Sequence, residues 1–326
     1  MEKNKIILIT CFVVIFAFAL TYGARSDSLG KFDFPIYDIH EHMGEGNLDT
    51  LLFAMEENDI AYTGVVGSSH FTLTLRDPGF EDFEKNNDFL LNISDKVLAF
   101  PTIDPRMDSL DYLKDQIEKG AKGLKLYSGH KSSFYKYLGP LDREEILPIY
   151  EYVETNNIPV IFHVNPFDDQ IREEFEIVLD AYPNMVVNCP HWCLSSINDD
   201  RFKELYDDYP NLYSDISFGS MFAQVGFERI SKNPEKYKEL VLKYQDRLLF
   251  ASDMVLTEVK SKEFASEMIG CYRKMLEKKS YECEVEGFSD EFSVHGTFNG
   301  LDLPNDVLRK IYYENPTRFL EGNFES

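Results

Sequence analysis

Short apolar runs alternate with amphipathic stretches along most of this chain. The runs are rich in β-branched and aromatic residues, and many enter from Gly or Pro, as strands do. They lie at 36–43, 61–69, 97–105, 123–128, 159–165, 185–192, 212–218 and 248–255, which makes eight. Between them the pattern turns helical. Asp142 with Glu145 three residues on reads as a capping box. Ile146, Ile149, Tyr150 and Val153 then mark one face, with Pro148 near the start of the helix. Residues 109–118 predict a helix closed by Gly120, 173–182 one that stops before Pro183, and 264–278 an eighth helix. The stretch 280–300, with Gly287, Gly296 and Gly300, predicts irregular chain, and 303–320 predicts one or two C-terminal helices.

Strands that alternate with helices imply βαβ units and a parallel sheet. Eight units suggest an α/β fold closed into a (β/α)8 TIM barrel with extra C-terminal helices. No long repeat, low-complexity tract or Pro/Ser-rich linker interrupts residues 30–326, so these are expected to form one domain. The first residues stand apart. Lys3 and Lys5 precede an uncharged run over 6–24, a length between a signal-peptide core and a spanning helix. Residues 1–25 are expected to be a signal peptide or an N-terminal transmembrane anchor. The lysines favour a cytoplasmic N-terminus with an exported body, so the expected location is extracytoplasmic, secreted or anchored by that segment.

Composition narrows the function. With 44% hydrophobic and 14% aromatic residues the chain can bury a large core. A net charge of −24 argues against nucleic acid as a partner, since phosphates need clustered Lys and Arg. It also disfavours anionic lipid, which leaves membrane contact to the N-terminal segment alone. The expected partner is a small-molecule substrate, and self-association as a homodimer stays open. Cys11 lies in the apolar segment. Cys189, Cys193, Cys271 and Cys283 either pair in an exported protein, in one of three connectivities, or stay as buried thiols.

The candidate chemistry sits at strand ends. His40 and His42 are two apart in a strand, so both share one face, and near the strand's C-terminal end that face points into the barrel mouth. Asp38 shares the face one layer deeper, where it would orient a ligand histidine or bond to backbone. His163 ends the fifth strand, His191 the sixth and Asp253 the eighth, each after an apolar run. Nitrogen and carboxylate donors converging in one mouth suit Zn2+ or a similar ion. Lys125, flanked by apolar residues on the fourth strand, is costly to bury unless paired or modified. It would pair with a carboxylate, bind an anionic substrate, or become carbamylated and bridge two metals. The alternative is a lysine that snorkels outward. His70, Arg106, Tyr127, His130 and Trp192 follow or end strands and are weaker candidates for substrate contact. Arg106 would clamp a carboxylate or form a surface ion pair.

Asp38-Ile-His-Glu-His42, His163, His191 and Asp253 together resemble the amidohydrolase superfamily, and within it the TIM-barrel subgroup that includes aminocarboxymuconate-semialdehyde decarboxylase. Residues 120–127 and 307–320 resemble that subgroup too, so the likeness spans 36–320. It implies one divalent metal, Zn2+ first, held by His40, His42, His163 and Asp253. Asp253 would also accept a proton from water, with His191 as general acid/base. In binuclear members, His163 and His191 bind a second metal and a carboxylated Lys125 bridges the pair. Two features depart from the family: Ala-Ser-Asp-Met stands where Gly-Ser-Asp is usual, and an export segment precedes a barrel that is mostly cytoplasmic elsewhere. The implied activity is hydrolysis of an amide, ester or lactone bond, or nonoxidative decarboxylation or hydration with the same metal. A metal-free lactonase and a non-catalytic exported binding protein are the remaining readings. The intact set of four histidines and Asp253 argues against the last.

Overall fold

The computed structural model describes residues 29–68, 83–104, 106, 109–127, 139–193, 199–219 and 221–322. Eight strands follow one another: β1 (Ile36–His42), β2 (Ile60–Val66), β3 (Val97–Phe100), β4 (Leu124–Tyr127), β5 (Val160–His163), β6 (Val187–Asn188), β7 (Leu212–Asp215) and β8 (Leu248–Leu249). They pair in parallel and in sequence order, β1 to β3 in one sheet and β4 to β8 in another. Thr102 bridges Lys125 across the first gap, where Lys125 N donates to Pro101 O at 2.8 Å. The second gap closes where Asp253 N donates to His40 O at 2.9 Å and Leu256 N to His42 O at 2.7 Å. The result is an α/β ring of parallel strands of the TIM-barrel kind.

Why these residues make strands is plain in β5. Val160, Ile161 and Phe162 are all fully buried, the continuous apolar run of a parallel strand covered on both sides. Two cores result. The larger lies between strands and helices. The smaller takes Ile39, Val66, Phe100, Ile161, Val186, Tyr213 and Leu249 from the strand region and is completed by Phe319. Around the ring run α1 (Leu48–Glu57), α2 (Phe83–Leu90), α3 (Leu110–Glu118), α4 (Leu147–Thr155), α5 (Asp169–Ala181), α6 (Asp199–Asp208), α7 (Ala223–Lys232), α8 (Pro234–Tyr244) and α9 (Lys262–Glu277). The chain ends in α10 (Asn305–Arg309), a π-helical turn and α11 (Asn315–Leu320).

Several expected boundaries move. The strands stop short of their apolar runs; β6 and β8 keep only two residues each. His191 and Asp253 therefore sit beyond the strands, on irregular backbone. The capping box at Asp142 does not form. The helix begins at Leu147, with Pro148 in its first turn. Proline lacks the N–H that a helix interior needs and fits only that turn, so a start at Asp142 would bury it mid-helix. α5 begins at Asp169, with Asp168 as its N-cap accepting from Gln170 N and Ile171 N. The stretch expected to be irregular holds an antiparallel hairpin, β9 (Ser280–Val285) and β10 (Val294–Asn299). Tyr281, Cys283 and Val285 are buried and alternate with exposed Ser280, Glu282 and Glu284, the period of a one-sided strand. Disulfides join Cys189 to Cys193 and Cys271 to Cys283, the second tying α9 to the hairpin. Among the described residues no helix is long and apolar enough to cross a membrane, and residues 1–25 lie outside them.

Candidate metal centre

The site begins with an irregularity in β1. Pairing with β2 steps from Asp38–Thr63 to Glu41–Val65, which places one extra residue in β1. Such a bulge re-aims side chains at a barrel rim. His40 and His42 meet in the mouth, with ring centroids 5.2 Å apart. Glu41 is buried rather than turned to solvent, and accepts from Met254 N at 2.8 Å. The Ser252 hydroxyl lies within hydrogen-bond distance of both Asp38 and Glu41. One hydroxyl proton cannot serve both, so one of these carboxyl groups donates to Ser252. Burial pushes Asp38 up to about 7, and burial together with the Asp38 charge pushes Glu41 well above the usual range. Asp38 thus touches His40 only through its backbone N–H and leaves the ring to another residue.

That residue is Asp215, at the end of β7. His40 Nδ1 donates to Asp215 Oδ2 at 3.1 Å, and Asn188 Nδ2 donates to the same oxygen at 3.1 Å. Asp215 Oδ1 accepts from His191 N at 3.0 Å, Ser217 N at 3.2 Å and Ser217 Oγ at 2.6 Å. Burial alone would raise this carboxyl. The His40 ring, first by its hydrogen bond, with the neighbouring His191 and the Ser217 hydroxyl, holds it well below the usual carboxylate range. Asp215 did not stand out in the sequence. A carboxylate inside Leu212-Tyr-Ser-Asp-Ile216 is the same kind of signal as Lys125, a charge in a buried strand.

The hydrogen-bond network assigns the protons of three imidazoles. His40 Nδ1 faces the Asp215 carboxylate and must carry its proton there. His42 Nδ1 lies 3.0 Å from Ser68 Oγ and 3.2 Å from Tyr127 Oη. Those hydroxyls donate elsewhere, to Val66 O and Gly67 O, so His42 Nδ1 is the donor. His191 Nδ1 lies 2.8 Å from Ser217 Oγ, whose own proton goes to Asp215. The Nε2 atoms of His42 and His191 are left as lone pairs, and that of His40 accepts from Lys125 Nζ at 2.8 Å. All three lie near Asp253, with His42 Nε2 3.2 Å and His40 Nε2 3.9 Å from Oδ1, and His191 Nε2 3.5 Å from Oδ2. Asp253 Oδ1 is buried and accepts no hydrogen bond of regular geometry. Lone pairs aimed at a carboxylate repel it unless a cation lies between them. Among the described residues His40, His42 and Asp253 bring ligand atoms within 4.8 Å of one another. This donor set fits a divalent metal. A second group, His40, His191 and Asp215, meets the same distance. Its carboxylate is already taken up by five donors, so the first group is the better site.

Burial pushes His42 down to about 3 and His191 down to about 4, against the pull of Asp253. Both imidazoles are neutral at pH 7, as a ligand and a proton acceptor must be. Asp253 itself is held well below its ordinary range. Burial opposes this, and the imidazoles of His40, His42 and His191 gathered around it overcome it. Its backbone is left-handed, with φ 48°. Gly219 backs onto it: a Cβ there would lie 3.2 Å from Asp253 Oδ2, at a φ of +71° that also favours glycine.

Lys125 points inward, as one reading of the sequence had it. It is fully buried, and its Nζ donates to His40 Nε2 at 2.8 Å, the lone pair that a bound cation would take in its place. Burial pushes the amine down to about 7, while Asp253 and Asp215 oppose the shift. His163 borders the cluster, its ring 5.2 Å from that of His191, but stands outside both ligand groups. Tyr127 holds His42 as described. Trp192 is buried in the outer core, where it donates to Ile216 O at 3.1 Å and packs on Phe202 and Tyr237. Its backbone is left-handed, with φ 54°. Arg106 is engaged by Asp104, at 2.8 Å from Nε and 2.6 Å from Nη2, the ion-pair alternative. His70 and His130 lie outside the described residues.

His191 sits in the least regular piece of the site. His191, Trp192 and Cys193 follow one another with φ of 60°, 54° and 53°. Left-handed backbone costs a non-glycine residue roughly 1–2 kcal/mol each, so the surroundings must hold this turn in place.

Comparison with known proteins adds two findings. The family model described as Amidohydrolase matches residues 54–322. Among solved structures, 4-oxalomesaconate hydratase from Rhodopseudomonas palustris is similar with a TM-score of 0.56 at 15% identity, over 88% of this chain and 96% of the other. Dihydroorotase from Saccharomyces cerevisiae in complex with 5-fluoroorotic acid is similar with a TM-score of 0.53 at 11% identity, over 88% and 84%. At such identities the likeness speaks for the fold. No curated protein matches the chain.

Proposed function

The chain belongs to the amidohydrolase family and is a hydrolase-related enzyme, and we propose that it is a metal-dependent hydrolase of an amide, ester or lactone bond in a small molecule. The observation that carries this is the convergence of unprotonated Nε2 atoms on the Asp253 carboxylate. His40, His42 and Asp253 would hold one divalent cation, Zn2+ by the chemistry of the donors, with His163 as the further ligand that the family likeness implies. Such a cation supplies Lewis acidity, polarising a carbonyl and acidifying water. The chain's own groups do the rest. Asp253 accepts a proton from the attacking water through Oδ2, the oxygen nearer His191. His191, neutral at pH 7, takes that proton on Nε2 and delivers it to the leaving group. Ser217 and Asp215 keep the ring turned so that Nε2 faces Asp253.

A second reading uses the same site for hydration or nonoxidative decarboxylation, and the fold likeness to a hydratase supports keeping it. We read residues 30–326 as one domain and residues 1–25 as an export segment. Two disulfides support an oxidising compartment.

Metal analysis tests the main reading. Purified protein is expected to bind close to one equivalent of Zn2+, Asp253→Asn to lose it, and His191→Asn to keep it while losing turnover by roughly 10²–10⁴-fold. Less than about 0.2 equivalents after reconstitution, with an unchanged melting temperature on chelation, would refute it, because a ligand of the native state must stabilise that state. Release of carbon dioxide, or addition of water without bond cleavage, would shift the assignment to the second reading.

A further inference from the structure

Of the groups that surround Asp253, His191 alone is carried on a run of left-handed residues that are not glycine. What holds that run in place comes mostly from β7. His191 N donates to Asp215 Oδ1 at 3.0 Å, Cys193 N to Ser214 Oγ at 2.9 Å, and Ser214 Oγ to Cys189 O at 2.7 Å. Hydrogen bonds of this kind exchange readily with water when a turn opens. The covalent restraint is different. The Cys189–Cys193 bond closes a ring with His191 at its midpoint, and the two Cα atoms lie 4.6 Å apart. In extended chain, residues four apart lie about 13 Å from one another, far beyond the reach of a disulfide. The bond therefore excludes the extended conformations toward which a strained turn relaxes.

We propose that the Cys189–Cys193 disulfide is a positioning element for His191: it confines the left-handed turn so that the imidazole stays buried and facing Asp253. Its catalytic meaning rests on the reading of His191 as the proton carrier; the confinement itself does not. Both sulfurs are fully buried, and neither touches the reacting atoms in that scheme. The Cys271–Cys283 disulfide lies on α9 and the hairpin and supplies a control.

The test reads the position of His191 without using turnover. Zn2+-loaded full-length protein is treated with diethyl pyrocarbonate, which acylates accessible neutral imidazole, and each histidine is followed by peptide mass spectrometry. Exposed His295 is the internal reference. His191 is expected to react slowly in the native protein and about fivefold faster or more in Cys189→Ala/Cys193→Ala, where local opening of the turn exposes the ring. Cys189→Ala/Cys193→Gly is expected to return at least half of that protection, because glycine adopts the left-handed region without a Cβ clash. If the sulfurs served only to fill space, glycine would do worse than alanine. An unchanged His191 rate in the alanine pair, or a glycine pair no better protected, overturns the proposal. If only the glycine pair yields folded protein, the same rescue is seen as folding and supports it. If neither folds, native protein is reduced with dithiothreitol, which takes the disulfide to two thiols as the reagent closes to its own cyclic disulfide. An unchanged His191 rate in protein whose Cys189 and Cys193 are shown by mass to be free thiols then overturns the proposal, and a rise seen in the native protein but not in a Cys271→Ser/Cys283→Ser background assigns it to the wrong bond. A failed hydrolase reading would appear as absent metal or turnover, while the labelling pattern would still decide this one.

Discussion

Asp215→Asn is the sharpest perturbation of the site, because it changes one atom of a residue that no ligand needs to touch. Asp215 accepts five hydrogen bonds, two on Oδ2 from His40 and Asn188 and three on Oδ1 from His191 and Ser217. An amide keeps only one acceptor oxygen. With that oxygen left toward the three donors, the NH2 group meets His40 Nδ1 and Asn188 Nδ2. His40 then does best by accepting at Nδ1 and moving its proton to Nε2, the atom that the metal requires. Losing two charge-assisted hydrogen bonds, at roughly 1.5–3 kcal/mol each, is partly offset by no longer burying a carboxylate, so a net loss of about 2–3 kcal/mol in metal-free stability is expected. Metal affinity should fall by roughly 10–100-fold, the usual effect of losing the partner that orients a ligand histidine. Competition against a chromophoric chelator measures the affinity, and urea unfolding measures the stability. An affinity within about threefold of wild type would refute the assignment of the proton on His40 and the role given to Asp215.

Three further outcomes follow from the structure. Gly219→Ala places a Cβ 3.2 Å from Asp253 Oδ2 on backbone with φ +71°; it should cost about 1 kcal/mol in stability and weaken metal binding, and a wild-type chelator titration would contradict this. Tyr150, Tyr206, Tyr272, Tyr281 and Tyr312 all have phenols raised by burial, so the native state keeps protons that the unfolded chain releases near pH 10. Stability should therefore fall as pH rises above about 10, and a urea midpoint that stays constant from about pH 9 to 11 would argue against it. Removing the Cys271–Cys283 bond, which joins residues 12 apart, should lower stability by roughly 2–4 kcal/mol with metal affinity unchanged, and a shifted affinity would show that the hairpin reaches the site.

Much of the fold was legible because it is written in local periodicity. Each of the eight apolar runs coincides with a strand, β2 starting one residue ahead of its run, and most of the predicted helices fall where the 3.6-residue pattern puts them. The misses share a cause. The apolar runs continue through Cys189 and Ala251, whereas the chain leaves the ladder there to carry His191 and Asp253 on left-handed backbone. The hairpin of β9 and β10 was hidden by glycines that outweighed a short but clean alternation of buried and exposed residues.

By itself the sequence determined which faces are buried and which strands end in nitrogen and carboxylate groups, since both follow from residue type and spacing of two or 3.6. It also determined that Lys125, if inward, would need a partner. Tertiary structure alone decided who those partners are. His40 and Asp215 are 175 residues apart, and His42 meets Ser68 from just beyond β2 and Tyr127 from β4. No local spacing encodes such contacts; they arise because ring closure brings β1, β4, β7 and the chain beyond β8 to one mouth. That convergence fixes the protons on the three imidazoles, and the protons decide which lone pairs face the Asp253 carboxylate.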